Sequence, residues 1–88
     1  MRESTIEKAV INGAKSKGWW CLKLYVLNHA GFPDRLCLAS GQRIKFVEFK
    51  APGKKARILQ NYVIKKLKRL GFEVHVIDNI EEGKQLFS

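Results

Sequence analysis

Asp34, Glu48 and Lys50 are the residues of this chain best spaced to do chemistry together. A short strand over residues 35–39, a turn at Ser40-Gly41-Gln42 and a second strand over residues 43–50 read as a hairpin. Folded symmetrically about Gly41, it sets Leu38 opposite Ile44 and Leu36 opposite Phe46, apolar against apolar, and Asp34 opposite Glu48. Directly opposed side chains on one sheet face have Cβ atoms about 4.5–5.5 Å apart, where like charges repel. Two carboxylates so placed invite a bridging cation. Lys50 lies two residues beyond Glu48, hence on the same face, about 6.7 Å along the strand. Each residue alone has a plainer reading: Asp34 after Pro33 as turn chemistry, Glu48-Phe49-Lys50 as a solvated strand face.

The elements that must position these residues follow from periodicity. Ser4-Thr5-Ile6-Glu7 has the form of a capping box opening a helix that runs to about Ser16 and stops at Gly18. Trp19 to Leu27, rich in aromatic and branched residues, reads as a buried strand, with both Trp19 and Trp20 as core rather than base-stacking platforms. Gly31 and Pro33 break the chain into a loop over residues 28–33. After the hairpin, Ala51-Pro52-Gly53 ends the strand, and a helix follows from about Lys55 to Leu70 with Gly71 at its C′ position. Phe72 to Ile77 is a fourth strand, and Asp78 or Asn79 caps a short last helix. The order is α-β-β-β-α-β-α. Ile6, Val10, Ile11 and Ala14 form the apolar stripe of the first helix, and Glu7 falls inside it. Ala56, Leu59, Val63, Leu67 and Leu70 form that of the second, and Gln60 falls inside it. A polar residue in the first turn of an apolar face is costly to bury unless something receives it. One polar site at the end of the hairpin is expected to receive both, although Glu7 also serves as the capping-box acid.

Charge points to the partner. The 88 residues carry 17 Lys and Arg against eight Asp and Glu, a net +9, which suits a polyanion. Between Glu7 and Glu73 the only acids are Asp34 and Glu48. A hydrophobic fraction of 45% supports a core and argues against disorder. No apolar run approaches the roughly 20 residues that span a bilayer, so no membrane partner is expected, and Met1-Arg2-Glu3-Ser4 is not the start of a signal peptide. Cys21 and Cys37 lack metal-ligand spacing and read as two reduced, half-buried thiols. His29 and His75 read as a loop and a strand histidine without metal roles. Lys54, Lys55 and Arg57 fall beside the hairpin end. Lys65, Lys68 and Arg69 fall on the outer face of the second helix, either gripping nucleic acid or simply solvated. No base-reading motif is present, so backbone and shape readout is expected.

In Gly31-Phe32-Pro33-Asp34, followed by Glu48-Phe49-Lys50 on the next strand, the chain resembles the PD-(D/E)XK nuclease superfamily over nearly its whole length. Within it, Glu7 in the first helix, the Gly-x-Pro-Asp loop and Gln60 in the second helix most resemble the virus-type replication-repair nuclease (VRR-NUC) group. The resemblance implies an α/β, restriction-endonuclease-like core, a mixed sheet flanked by helices, as one domain over residues 1–88. It implies a metal-dependent deoxyribonuclease in which Asp34, Glu48 and the main-chain carbonyl of Phe49 hold Mg²⁺ or Mn²⁺, an all-oxygen set unsuited to zinc. Glu7 would extend the site toward a second ion or hold a metal-bound water. Lys50 would orient the attacking water or stabilise developing charge, and Gln60 would position the water or Lys50. Small stand-alone members of the group are phage or bacterial proteins, some acting as dimers on Holliday junctions. A homodimer on branched DNA in the cytoplasm of a bacterial or phage-infected cell is the expectation. Two other classes compete: a non-catalytic basic nucleic-acid-binding module with structural acids, and a restriction enzyme, for whose recognition region so short a chain leaves little room.

Overall fold

The computed structural model describes all residues from Met1 to Ser88. Its elements are α1 (Glu3–Ser16), β1 (Trp20–Lys23), β2 (Arg35–Ala39), β3 (Arg43–Phe49), α2 (Ile58–Arg69), β4 (Glu73–Ile77) and α3 (Ile80–Leu86), in the expected order. The strands form one mixed sheet in the order β1-β2-β3-β4, antiparallel through β3 and parallel between β3 and β4. A parallel pair cannot be closed by a tight turn, and α2 supplies the crossover.

The hairpin register is the one its apolar pairs demand: Leu36 faces Phe46 and Leu38 faces Ile44. The turn holds Gly41 and Gln42 at φ 78° and 62°, the left-handed geometry a tight hairpin needs. Because side chains alternate across a strand, β3 divides its residues between two cores. Val47 and Phe49 pack with Ile6, Val10 and Ala14 of α1 and with Trp19, Ile77 and Phe87. Phe46 packs on the other face with Val63, Ile64 and Leu67 of α2 and with Val74. Glu48 is thereby turned to the α2 side and Arg35 to the α1 side.

Several boundaries differ from expectation. The first helix begins two residues early, behind Arg2 rather than Ser4, with no side-chain cap. Ser4 and Glu7 therefore form no capping box, because Glu7 is engaged elsewhere. The first strand ends at Lys23 rather than Leu27. Only β2 pairs with β1, and β2 begins at Arg35, so after the Leu24 N–H to Asp34 carbonyl bond of 2.7 Å the chain has nothing left to pair with. Tyr25 and Leu27 are consequently 80% and 99% exposed. Trp19 is core, but Trp20, turned to the opposite face of this edge strand, is 66% exposed. The second helix starts at Ile58, and its buried positions are Val63, Ile64 and Leu67. The stripe expected through Leu59 and Leu70 is rotated toward the Gln60 side, leaving those two leucines exposed. Asn79 caps α3, its side chain accepting the Glu82 N–H at 2.8 Å.

The cysteines also depart from expectation. Cys21 and Cys37, read as separate thiols, stand directly opposite each other across β1 and β2 and are joined as a disulfide, their Cα atoms 4.0 Å apart. Their separation in sequence does not reveal this, because the loop after β1 sets the register.

Candidate active site

Glu48 is the one charged residue buried in the molecule, 4% exposed. Its position on β3 aims it at the first turn of α2 and away from the α1 core. One carboxylate oxygen, Oε1, accepts the backbone N–H of Asp34 at 3.2 Å. The other, Oε2, accepts the Gln60 Nε2 amide at 3.1 Å and lies 3.2 Å from the Lys50 ammonium. Burial pushes the Glu48 carboxyl above its ordinary value, and the Asp34 charge adds to the rise against the opposing pull of Lys50.

Three elements converge to make this arrangement. Asp34 follows directly on the expected register, one step past the Arg35–Val47 pair. Gly31 lets the preceding loop lie against α2: it has φ +84°, and a Cβ there would sit 3.0 Å from the Leu59 carbonyl oxygen. Gln60 is the third residue of α2, in the position from which a side chain reaches back to cap the helix. Its Oε1 accepts the Arg57 N–H at 2.9 Å, which leaves the amide nitrogen turned to Glu48. Lys50 continues β3, its backbone N–H bonded to the Ile77 carbonyl at 2.9 Å and its half-buried side chain on the Glu48 face.

Glu7 is not part of this group. It lies on the α1 side of the sheet, where its Oε2 accepts from Arg35 Nε at 2.8 Å and from Lys23 Nζ at 3.1 Å. Burial alone would raise its carboxyl, but the Arg35 and Lys23 hydrogen bonds and charges outweigh it and hold Glu7 below its ordinary value. Arg35 also donates to the Cys21 carbonyl at 3.4 Å. The expectation that one polar site receives both Glu7 and Gln60 therefore holds for Gln60 alone. The reason is parity: Arg35 and Asp34 are neighbours on one strand and point to opposite faces. Lys23 and Arg35, opposite each other in the β1–β2 register, are the residues that sequence reasoning missed. No signal in the sequence gives that pair, because the loop after β1 sets the register that brings them together.

No group of three or more His, Cys, Asp and Glu side chains converges in the molecule to hold a metal ion. A cation at the hairpin end would rest on Asp34 and Glu48 with main-chain oxygen completing the set, which fits the donor chemistry of a hard divalent ion. Such an ion would offset the burial, and then the Asp34 repulsion, that raise Glu48. His29 lies in the loop, its ring against the Ala30 carbonyl, and His75 lies in β4 beside Glu73. Lys54, Lys55 and Arg57 are exposed on the segment that joins Lys50 to Gln60. Lys65, Lys68 and Arg69 are exposed on the outer face of α2. No helix is long and apolar enough to cross a membrane.

No family model matches the sequence. Over 79 residues the chain is 35% identical to "Putative nuclease p44" of Acyrthosiphon pisum secondary endosymbiont phage 1, an alignment covering 90% of this chain and 85% of the phage protein. Among solved structures, a VRR-NUC domain superposes with a TM-score of 0.88 over 96% of this chain and 91% of that one, at 24% sequence identity. The likeness in structure establishes the fold of a VRR-NUC domain, and the nearly full-length relationship carries the kinship: the chain belongs to the same family as the phage protein described as a putative nuclease.

Proposed function

We propose that the protein is a Mg²⁺- or Mn²⁺-dependent deoxyribonuclease that hydrolyses phosphodiester bonds in branched DNA, Holliday junctions included, as a homodimer. The observation that carries this reading is Glu48, a buried carboxylate whose charge is disfavoured and which Asp34, Lys50 and Gln60 surround. A carboxylate in that state is stabilised by a cation. Asp34, Glu48 and the Phe49 carbonyl are the groups that would hold it, an all-oxygen set of the kind Mg²⁺ and Mn²⁺ prefer. When bound, the ion supplies Lewis-acid polarisation of the scissile phosphate and acidifies the attacking water.

The chain's own residues do the rest. Lys50 holds a positive charge beside the carboxylates, where negative charge builds on the phosphate in the transition state, and it orients the attacking water. Gln60, locked between the Arg57 N–H and Glu48, keeps Glu48 in one rotamer and positions Lys50 beside it. Glu7 acts through Arg35, anchoring the residue next to Asp34 from the opposite face of the sheet. Lys54, Lys55 and Arg57 grip the backbone of the cleaved strand. The substrate belongs to the cytoplasm of a bacterial or phage-infected cell.

The test is direct. Labelled duplex, flap and four-way-junction DNA are incubated with protein and Mg²⁺ or Mn²⁺, with and without chelator. Cutting is expected only with the ion. Asp34→Asn, Glu48→Gln and Lys50→Ala should each lose roughly two to four orders of magnitude in rate. They should keep most of their DNA affinity, which comes from other cations. Near wild-type cutting by Glu48→Gln would replace this reading with a non-catalytic binding module.

A further inference from the structure

Along the outer face of α2 runs an open groove of about 470 Å³ lined by Tyr62, Lys65, Lys68 and Arg69. We propose that this groove binds an unpaired DNA strand, with a base stacked on the Tyr62 ring and phosphates on the three cations. The inference rests on the DNA reading above and deepens it by naming the form of DNA that the enzyme holds beyond the cut.

Four observations support it. Tyr62 is 54% exposed on a helix face turned to water, a position its ring does not need for the core. Lys65 follows it by three residues and Arg69 follows Lys65 by four, so the ring and these two cations form one strip along the helix, with Lys68 at its side. None of the three cations takes part in the molecule's ion pairs, which use Lys23, Arg35, Lys45, Lys50 and His75. Finally, no acid occurs between Glu48 and Glu73, so α2 offers nothing to neutralise them from within.

The chemistry selects the occupant. A second copy of this chain would bring the same three positive charges face to face, which disfavours a twofold contact here. A duplex would satisfy the cations but would leave the tyrosine idle, because paired and stacked bases hide their faces. An unpaired base presents a free π-face, and aromatic stacking combined with a cationic track is how single strands are held without regard to sequence. Arg69 adds a guanidinium that can pair with phosphate in bidentate fashion. Gln60, at the start of the same helix, touches Glu48 on its inner face, whereas Tyr62, Lys65 and Arg69 project from the outer one, so a strand that reaches both passes around α2 as well as along it.

Fluorescence anisotropy in chelator, where nothing is cut, tests the groove with a labelled oligothymidylate, an abasic strand of equal length and a blunt duplex. The wild type should bind oligothymidylate more tightly than the abasic strand. Tyr62→Ala should weaken oligothymidylate binding by roughly five- to 150-fold, to the abasic level, while Tyr62→Phe retains it. Arg69→Ala should weaken both single strands and flatten their salt dependence by about 0.7 for each phosphate no longer neutralised. Wild-type affinity for oligothymidylate in Tyr62→Ala would overturn the proposal, as would an equal loss on the abasic strand. Affinity that depends on bases alongside cleavage indifferent to Glu48 would leave the groove standing and sink the nuclease reading. Affinity indifferent to bases alongside cleavage that needs Glu48 would sink only the groove.

Discussion

Glu48 is held where its charge is costly, and this has a consequence for stability. Burial and the Asp34 charge raise its pKa above the ordinary glutamate value of 4.5. Between 4.5 and the raised value the folded protein binds a proton that the unfolded chain does not, so stability rises as pH falls through that window. Glu7 and Glu73 are shifted the other way, Glu7 by Arg35 and Lys23 and Glu73 by Lys45 and His75, so their contributions are lost only below the window. In chelator, the melting temperature of the wild type should therefore gain on that of Glu48→Gln as pH is lowered from neutral toward about 5. Parallel curves would show that Glu48 is not strained by its site. A related test concerns the facing carboxylates. Without metal, Asp34→Asn should be neutral or mildly stabilising, by roughly 0.2–1 kcal/mol. With excess Mn²⁺ the order should reverse, because an ion that binds only the folded wild type stabilises it by mass action. Identical Mn²⁺-induced shifts in Tm for the two proteins would remove Asp34 from any metal site.

At the scale of elements, the hairpin is fully legible in the sequence and its surroundings are not. Leu36–Phe46 and Leu38–Ile44 can pair in only one way about Gly41, so the register, and with it the Asp34–Glu48 facing, follows from local pattern. The end of β1 does not, because the β-favouring run continues to Leu27 and what stops the strand is the end of its partner at Arg35. The start of α2 is equally hidden. No Ser, Thr, Asp or Asn stands at its N-cap, and it is Gln60, a residue already inside the helix, that satisfies the Arg57 N–H. The loop between β1 and β2 is positioned by contact rather than by propensity, and Gly31 lies close against Leu59 of α2. Gly31→Ala would place a methyl group 3.0 Å from the Leu59 carbonyl oxygen at φ +84°. It should destabilise by roughly 1–3 kcal/mol and shift Asp34 enough to slow cleavage. Gly41→Ala is the control. It carries similar backbone strain at φ +78° but has nothing within 4 Å of the added carbon, so it should cost stability without slowing cleavage. Equal slowing of cleavage in both variants would mean that the loop's approach to α2 does not set the site.

For the whole molecule, the question is whether one chain suffices. Each chain carries a single Glu48 site, and one such site cuts one strand, whereas resolving a four-way junction requires paired cuts on opposing strands. A twofold dimer, the commonest oligomer, presents two equivalent sites. Only 17 of 88 residues are buried in the single chain, so covering apolar surface between subunits would also reinforce a small core. The sequence holds two patches suited to this, the tryptophan-rich first strand and the last helix with Leu86 and Phe87. The second is largely spent within the chain, since Phe87 packs edge-on against Trp19 with ring centroids 5.3 Å apart. The first survives in altered form, as Trp20 on the edge strand and Tyr25 and Leu27 just beyond it, all exposed. Light scattering at micromolar concentration should accordingly give twice the 10.1 kDa chain mass. Leu27→Asp should shift the population toward monomer by placing a charge in the apolar interface. Mixing wild type with excess Glu48→Gln should yield heterodimers that nick a junction once without resolving it. A monomer that makes paired cuts unaided would defeat the dimer, and a monomer confined to trimming unpaired ends would direct attention to the groove on α2.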